Sequence, residues 1–118
     1  MCGYAGFYLN RKRAPHGEME KTITKMANSL EHRGPDDLGI WLDSNKPIAF
    51  GHRRLSIVDV SDSGHQPMTS SNNKYVMAFN GEIYNHTQLR KELDSINSGL
   101  NWNGHSDTET LLAGFEVW

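Results

Sequence analysis

The stretch CGYAGFYL, residues 2–9, decides how the rest of the chain is interpreted. It is short, aromatic and glycine-rich, which is typical of a buried β-strand. The only cysteine of the chain, Cys2, stands directly before this strand. If Met1 is removed, Cys2 carries a thiol and a free α-amine, and an amine that titrates near ~7.7–8.0 can take the proton of the thiol. This position favours a nucleophile, although a buried, inert cysteine is the more common role of the residue type.

The bulk composition indicates one globular domain. Of the 118 residues, 36% are hydrophobic and 22% are charged, and the net charge of −2 with a pI near 6.3 lacks the basic balance that nucleic-acid binding requires. A single cysteine forms no internal disulfide, and no apolar run has the length of a membrane span or signal peptide. We therefore expect a cytoplasmic protein without nucleic-acid or membrane partners. The six scattered histidines show no metal-ligand spacing, which predicts no metal site.

Hydrophobic periodicity predicts three helices. Apolar residues recur at helical spacing from Met19 to Leu30, and a second helix is predicted from Asn85 as its N-cap. The third begins at Ser106, which forms a capping-box pattern with Glu109. Strands are predicted at 3–9, 38–43, 47–52, 55–60 and 75–80, the last of which ends at an Asn-Gly turn.

Four segments between these elements are richer in polar residues and glycine than a turn requires. Each has a structural explanation when taken alone: a helix stop, a solvated strand, a hairpin turn or a helix cap. They are HRGPDD at 32–37, GHRRLSIVD at 51–59, NGEIYN at 80–85 and SDTE at 106–109.

Taken in order with the MCG at the N-terminus and the QPM at 66–68, these motifs resemble a known family. The chain is similar to the glutaminase domain of class II glutamine amidotransferases, which are N-terminal-nucleophile (Ntn) hydrolases, and most of all to that of glutamine-hydrolysing asparagine synthetases. Other class II enzymes typically have GHxR[WY] where this chain has GHRRLSIVD. The resemblance implies an α+β fold, the four-layer αββα Ntn-hydrolase sandwich, of which residues 1–118 would be the N-terminal part. The rest of the sandwich and the synthetase domain would then be absent.

The resemblance also implies catalytic roles. Cys2 would attack the amide carbon of glutamine and form a thioester, and its own α-amine would relay the proton. The side-chain amide of Asn80 and the backbone N–H of Gly81 would form the oxyanion hole. These residue types suit the chemistry, because an amide is a neutral donor and glycine lets the backbone approach closely.

Substrate-binding roles follow in the same way. Arg54 would bind the α-carboxylate of L-glutamine, since arginine can make two parallel hydrogen bonds to it. Glu82 and Asp107 would bind the α-ammonium group, and Ile57 is a weaker candidate for a backbone contact. We expect His32, Arg33 and Asp36 to shape the site, and Tyr84 and Asn85 to stabilise the turn and cap the next helix.

In the parent enzyme, the resemblance implies that ammonia passes to a synthetase domain of the same chain, which uses ATP and Mg to amidate aspartate to asparagine. No ATP-binding motif is recognisable in these 118 residues. Unpaired sheet edges in an incomplete sandwich favour association, and a homodimer is one form that this could take. Two alternatives stay open: an amidotransferase that acts on another acceptor, such as one of surface-polysaccharide biosynthesis, and a non-catalytic module that binds glutamine or docks a partner.

Overall fold

The computed structural model describes residues 2–10, 14–57 and 61–118, and the fold is α+β as expected. Within these ranges no helix is both long and apolar enough to cross a membrane. The elements are β1 (Gly3–Tyr8), α1 (His16–Asn28), β2 (Asp37–Leu42), β3 (Ile48–Arg54), a single 3-10 turn (Asp62–Gly64), β4 (Met68–Thr69), β5 (Val76–Met77), α2 (His86–Ile96) and α3 (Asp107–Val117).

Three of the strands form an antiparallel sheet in the order β1-β3-β2. Gly3 pairs with Arg53 and Tyr8 with Ile48, so β1 begins beside the end of β3. Since residues directly opposite each other share a face, one face carries a continuous apolar surface that packs against α1. The core of this layer consists of Met19, Ile23 and Ala49, with Ala5, Phe7, Leu9, Ala14, Met26, Ile40 and Leu42 packed around them.

The first strand lies at the edge of the sheet, whereas the sequence predicts a buried strand. Its residues alternate between the two faces, and α1 covers only one of them. Tyr4 and Tyr8 on the other face are 55% and 68% exposed. Further across that face, Trp41 stacks on Phe50 with ring centroids 5.6 Å apart. Period-2 alternation, rather than the aromatic composition, decides which residues are buried.

A hairpin joins β2 and β3, which pair antiparallel. Its turn is closed by Asp43, whose Oδ1 accepts hydrogen bonds from the backbone N–H groups of Asn45 and Lys46, at 2.8 and 2.6 Å. These bonds to the ionised form lower the pKa of Asp43. The turn therefore depends on one carboxylate, as is usual for Asx turns.

Two predicted strands are shorter than expected or missing. Residues 55–57 of the predicted strand 55–60 are not in a strand, and residues 58–60 lie outside the described part of the chain. Of the predicted strand 75–80, only Val76 and Met77 are in strand conformation, paired with β4. In both segments the backbone groups bond to side chains, as described below.

Helices α2 and α3 pack against each other, and α3 also contacts β4. Buried Leu93 and Leu112 face the interior of this second unit. The molecule measures 44 × 32 × 18 Å, and its smallest dimension corresponds to about two packed layers of secondary structure. The described residues thus form a helix on a sheet together with a helix pair and a small ribbon.

Candidate active site

The thiol of Cys2, directly before the first residue of β1, is held by the backbone of Leu55. The N–H of Leu55 donates to Cys2 Sγ at 3.3 Å, and Sγ lies 3.7 Å from the carbonyl oxygen of the same residue. The thiol is half-buried and unpaired in any disulfide. Because Cys2 is adjacent to the first pair of the sheet, Gly3 with Arg53, the position of the sulfur follows from strand register.

The HRGPDD segment packs on this end of the sheet. Arg33 Nε donates to the carbonyl oxygen of Cys2 at 3.2 Å. The N–H of Asp36 bonds to the carbonyl of Arg54, and Asp36 Oδ2 accepts from the N–H of Ser56 at 2.8 Å. Two residues expected to shape the site thus hold the backbone on both sides of the thiol. His32, the third, is exposed.

The glycine of HRGPDD permits this packing. A Cβ on Gly34 would overlap the backbone of Arg53. Any larger residue would push the segment away from β3, and the contacts of Arg33 and Asp36 depend on that approach.

Arg54 ends β3, beside Leu55. Its guanidinium is buried, with Nη1 donating to the carbonyl oxygen of Ser61 at 2.7 Å and Nη2 packed against Gly64. The guanidinium therefore lies against the 61–64 segment, on the same end of the sheet as Cys2. Ile57 is 73% exposed.

A second group of contacts holds the turn at residues 79–83. The imidazole of His52, which is 1% exposed on β3, lies with Nε2 at 3.1 Å from the carbonyl oxygen of Phe79. The N–H of Phe79 donates to Gln66 Oε1 at 2.6 Å, and Gln66 Nε2 donates to the hydroxyl of Thr108 at 3.1 Å. Both backbone groups of Phe79 are therefore bonded to buried side chains, which replaces the predicted strand pairing at this point.

This arrangement favours the neutral form of the His52 imidazole. Burial lowers its pKa, and this effect outweighs the opposite influences of the Phe79 carbonyl and the Asp37 carboxylate. A carbonyl oxygen can only accept, so Nε2 carries the proton and Nδ1 is a bare acceptor. In the described part of the chain, Nδ1 is buried without a hydrogen-bond partner.

The predicted oxyanion residues follow Phe79 directly. Asn80, Gly81 and Glu82 are exposed, and the described residues offer no hydrogen-bond partner to the Asn80 amide or the Gly81 N–H. A Cβ on Gly81 would lie 2.6 Å from the ring of Phe79, so this ring occupies the space of a side chain. Both predicted donors are thus open to a ligand.

Asp107 is the first residue of α3, and its carboxylate reaches the same turn. Its Oδ2 accepts from the N–H of Ile83 at 2.8 Å. One oxygen of the carboxylate thus fixes the turn next to Glu82, and a carboxylate can accept further donors on its other oxygen. This bond places the Asp107 carboxylate against the turn that contains Glu82, the other predicted anion.

The start of α3 is held by Arg90 of α2, which sequence reasoning missed. Arg90 donates to the carbonyl oxygens of Gly104 and Ser106, to the Thr110 hydroxyl and to the Glu109 carboxylate, at 2.7 to 3.1 Å. Its guanidinium also lies 4.2 Å from the ring centre of Trp102. Nothing in the local sequence signals this, since the five partners come from a separate segment.

The capping box of α3 is half formed. The Ser106 hydroxyl accepts from the Glu109 N–H as predicted. The Glu109 carboxylate, however, accepts from Arg90 and from the N–H groups of Asn103 and Gly104 instead of returning to Ser106. The predicted N-cap of α2, Asn85, occupies that position but makes no capping hydrogen bond with its side chain.

The contacts around Cys2 and the contacts around Phe79 both involve residues of β3. His52, which holds Phe79, is two residues before Arg54, and Tyr4 lies opposite His52 on β1. The turn at residues 79–83 therefore lies at the same end of the sheet as Cys2. Across the described residues, no hydrogen bond joins Cys2 directly to Asn80 or Gly81, and no group of three or more His, Cys, Asp and Glu residues could hold a metal.

Two cavities in the described part of the chain lie outside this site. One of about 330 Å³ is lined by residues that include Trp102 and Glu116, and one of about 310 Å³ between α2 and α3 is almost wholly apolar. None of the residues predicted for the site lines either of them.

Burial would raise the pKa of Glu116, but hydrogen bonds from Asn72 and Ser71 lower it.

Comparison with known proteins agrees with the motif pattern. Residues 1–118 match the family described as "Glutamine amidotransferase domain". The chain is 42% identical over 115 residues to "Asparagine synthetase (glutamine-hydrolyzing) 1" of Bacillus subtilis (strain 168), which covers 98% of this chain and 17% of that protein. It is 39% identical over 116 residues to "Asparagine synthetase B (glutamine-hydrolyzing)" of Escherichia coli (strain K12), covering 98% and 20%.

A third relative has a different name. "Amidase chry2" of Gibberella zeae is 32% identical over 120 residues, covering 96% of this chain and 17% of that protein. The chain thus spans between 17% and 20% of the length of these relatives. Because the family match extends over every residue of the chain, the chain belongs to the glutamine amidotransferase domain family.

Proposed function

We propose that this chain hydrolyses the side-chain amide of L-glutamine to glutamate and ammonia, with Cys2 as the nucleophile. The observation that carries the proposal is the placement of the thiol. The Leu55 N–H fixes Cys2 Sγ at the start of β1, and the donors of the 79–83 turn lie at the same end of the sheet. Membership of the glutamine amidotransferase domain family supports the choice of substrate.

The chemistry begins with removal of Met1, which frees the α-amine of Cys2. That amine takes the thiol proton, and the sulfur attacks the amide carbon of glutamine. The tetrahedral oxyanion accepts hydrogen bonds from the Asn80 amide and the Gly81 N–H. When it collapses, the C–N bond breaks and the α-ammonium gives its proton to the leaving ammonia. Water then hydrolyses the glutamyl thioester to glutamate and the free thiol.

Recognition of the amino-acid end of glutamine is assigned to charged groups of opposite sign. Arg54 binds the α-carboxylate, and Glu82 and Asp107 bind the α-ammonium, with a backbone contact from Ile57. The bond from Ile83 N–H to Asp107 supports this assignment, because it places the Asp107 carboxylate against the turn at residues 79–83, to which Glu82 also belongs.

The same proposal extends to a longer protein that would contain this chain together with a synthetase domain. Ammonia released at Cys2 is used by a synthetase domain that binds ATP and Mg and amidates aspartate to asparagine in the cytoplasm. The names of the Bacillus and Escherichia relatives support this acceptor. For the fold, we propose that the described layers belong to the N-terminal part of a four-layer αββα sandwich. The exposed sheet face with Tyr4 and Tyr8 supports further covering by chain or by a second copy.

The test is ammonia release from glutamine by the purified chain after mass spectrometry has established that Met1 is removed. We expect release by the wild type, no release by Cys2→Ala, and none from protein that retains Met1, because that protein lacks the free amine. Equal release by Cys2→Ala would overturn the proposal. Glutamine binding by a folded, Met1-free wild type without hydrolysis would indicate a binding module instead.

The acceptor is tested separately in cells. Replacing Cys2 by Ala in the gene should abolish asparagine formation from glutamine while leaving formation from added ammonia intact. Loss of both, or of neither, would contradict the assignment of Cys2 to ammonia supply for asparagine synthesis.

A further inference from the structure

Two buried polar side chains form hydrogen bonds to the backbone of one residue, Phe79. Neither side chain has a role in the proposed chemistry. His52 lies on β3, and Gln66 lies on the segment that leads to β4. They are 1% and 7% exposed. His52 bonds to the carbonyl of Phe79 and Gln66 to its N–H, so the backbone of this residue is held on both sides by side chains from different parts of the fold.

The carbonyl held by His52 belongs to the peptide group that joins Phe79 to Asn80. Rotation of this peptide would change the direction of the chain at Asn80 and, one residue later, the direction of the Gly81 N–H. The Asn80 and Gly81 donors are themselves exposed and lack protein hydrogen bonds within the described ranges, so their direction depends on the residue before them.

Stability alone gives a poor account of His52. A buried ring nitrogen without a partner is unfavourable, and Nδ1 of His52 is such an atom in the described structure. An apolar residue at this position would avoid that cost but would leave the carbonyl of Phe79 without its donor. The Nε2–H bond to Phe79 is what an apolar residue could not supply.

We propose that His52 and Gln66 are positioning residues which fix the peptide groups of Phe79 and thereby aim the Asn80 and Gly81 donors at the oxyanion. Gln66 also donates to Thr108, whose neighbour Asp107 bonds to Ile83. Hydrogen bonds therefore join the turn to the start of α3, which holds the oxyanion donors and the ammonium-binding carboxylate at fixed relative positions. This inference rests on the proposed glutaminase function.

The kinetic test uses variants that differ in one donor. His52→Leu removes the bond to Phe79, whereas His52→Gln keeps it, because the amide nitrogen of glutamine is as many bonds from Cβ as Nε2 of histidine. We expect kcat for glutamine hydrolysis to fall about 10–100-fold in His52→Leu with KM changed less than about threefold, since misdirected donors affect the transition state more than binding. His52→Gln should restore most of kcat.

Alkylation of Cys2 by iodoacetamide separates positioning from general damage. This reaction uses the thiol without an oxyanion, so its rate should be the same in His52→Leu and the wild type. If His52→Leu does not fold, His52→Asn serves in its place, because its shorter amide cannot reach Phe79. Equal kcat in the Gln and Leu variants, or a kcat unchanged in both, would overturn the inference.

Hydrogen exchange tests the positioning without relying on activity. The Phe79 amide should exchange at least about tenfold faster in His52→Leu and in Gln66→Met, while amides within β3 keep their wild-type rates. Unchanged exchange at Phe79 in both variants would overturn the inference. If the wild type shows no Cys2-dependent hydrolysis, the proposed function fails, and the exchange rates alone then decide whether His52 and Gln66 hold the turn.

Discussion

Cys2 and the turn at residues 79–83 lie at one end of the same sheet, but backbone groups position the thiol, whereas side chains position the turn. The thiol is held by backbone groups, through the Leu55 N–H and the register of β1 with β3. The turn is held by the side chains of His52, Gln66 and Asp107.

The difference has a consequence for how each part tolerates mutation. Strand pairing uses groups that every residue except proline has, so the pairing of β1 with β3 that positions the thiol should survive most substitutions within these two strands. The turn depends on particular side chains, each of which a single substitution removes. Four predictions, from the largest expected effect to the smallest, test this contrast.

The largest effect is expected at the turn itself. Asn80→Ala should lower kcat for glutamine hydrolysis about 100–1,000-fold, equivalent to about 2.7–4 kcal/mol of transition-state stabilisation, with little change in KM. Asn85→Ala is the matched control, because Asn85 is exposed and makes no capping bond with its side chain. A higher KM at unchanged kcat would assign Asn80 to substrate binding instead.

The next effect concerns the start of α3, which carries Asp107. Arg90→Met should lower the free energy of unfolding by about 3 kcal/mol, because it removes the hydrogen bonds of the guanidinium and leaves the half-buried Glu109 carboxylate without its cation. Urea denaturation measures the change. Lys91→Met, on the exposed side of the same helix, should change it by less than about 0.5 kcal/mol. Similar values for the two variants would show that the Arg90 contacts do not hold this junction.

A third variant tests the place where the sheet meets the side-chain network. A Cβ on Gly39 would overlap the carbonyl oxygen of Gln66, so Gly39→Ala should destabilise the protein by about 1–3 kcal/mol and disturb the Gln66 contacts. Gly17→Ala is the control, since a Cβ there meets nothing within 4 Å, and it should stabilise by about 0.4–1 kcal/mol. Thermal unfolding of both variants distinguishes overlap from a general effect of alanine.

The smallest effect is a dependence of stability on pH. Burial lowers the pKa of His52 below its ordinary value of 6.5, the charges of Arg54 and His65 act in the same direction, and Asp37 opposes them. Between the lowered pKa of the folded state and the ordinary value, the unfolded chain therefore binds more protons than the folded chain. His52 thus makes the free energy of unfolding fall as the pH drops below about 6.5. Urea midpoints at about pH 7.5 and about pH 5.5 should differ less in His52→Gln, whereas His32→Gln should keep the wild-type difference.

Sequence periodicity located the elements whose contacts are regular. The ranges of β1, β2, α1 and α3 agree with prediction to within a few residues, because their burial follows a period that can be read locally. The errors occur where side chains from distant positions bond to the backbone. Ser56 N–H bonds to Asp36, and Phe79 N–H bonds to Gln66, so neither residue can extend a strand as its β-rich composition predicts.

The sequence motifs pointed to the candidate site residues but not to the contacts that hold these residues in place. Cys2, Asn80, Gly81 and Asp107 were chosen by motif, and the fold brings their segments to one end of the sheet. Their roles stay predictions. The supporting contacts of His52 and Arg90 were not predicted, because they join residues about 14 to 27 positions apart, and no local pattern encodes such pairs.

The contact between Arg90 and Trp102 also provides an optical probe. The indole N–H of Trp102 donates to Asp94 while the guanidinium lies over its ring, so its emission should change when the α2–α3 junction opens. Trp41, stacked on Phe50, belongs to the sheet. Variants that retain only Trp41 or only Trp102 would therefore report by fluorescence whether the backbone-held sheet and the side-chain-held junction melt together or in sequence.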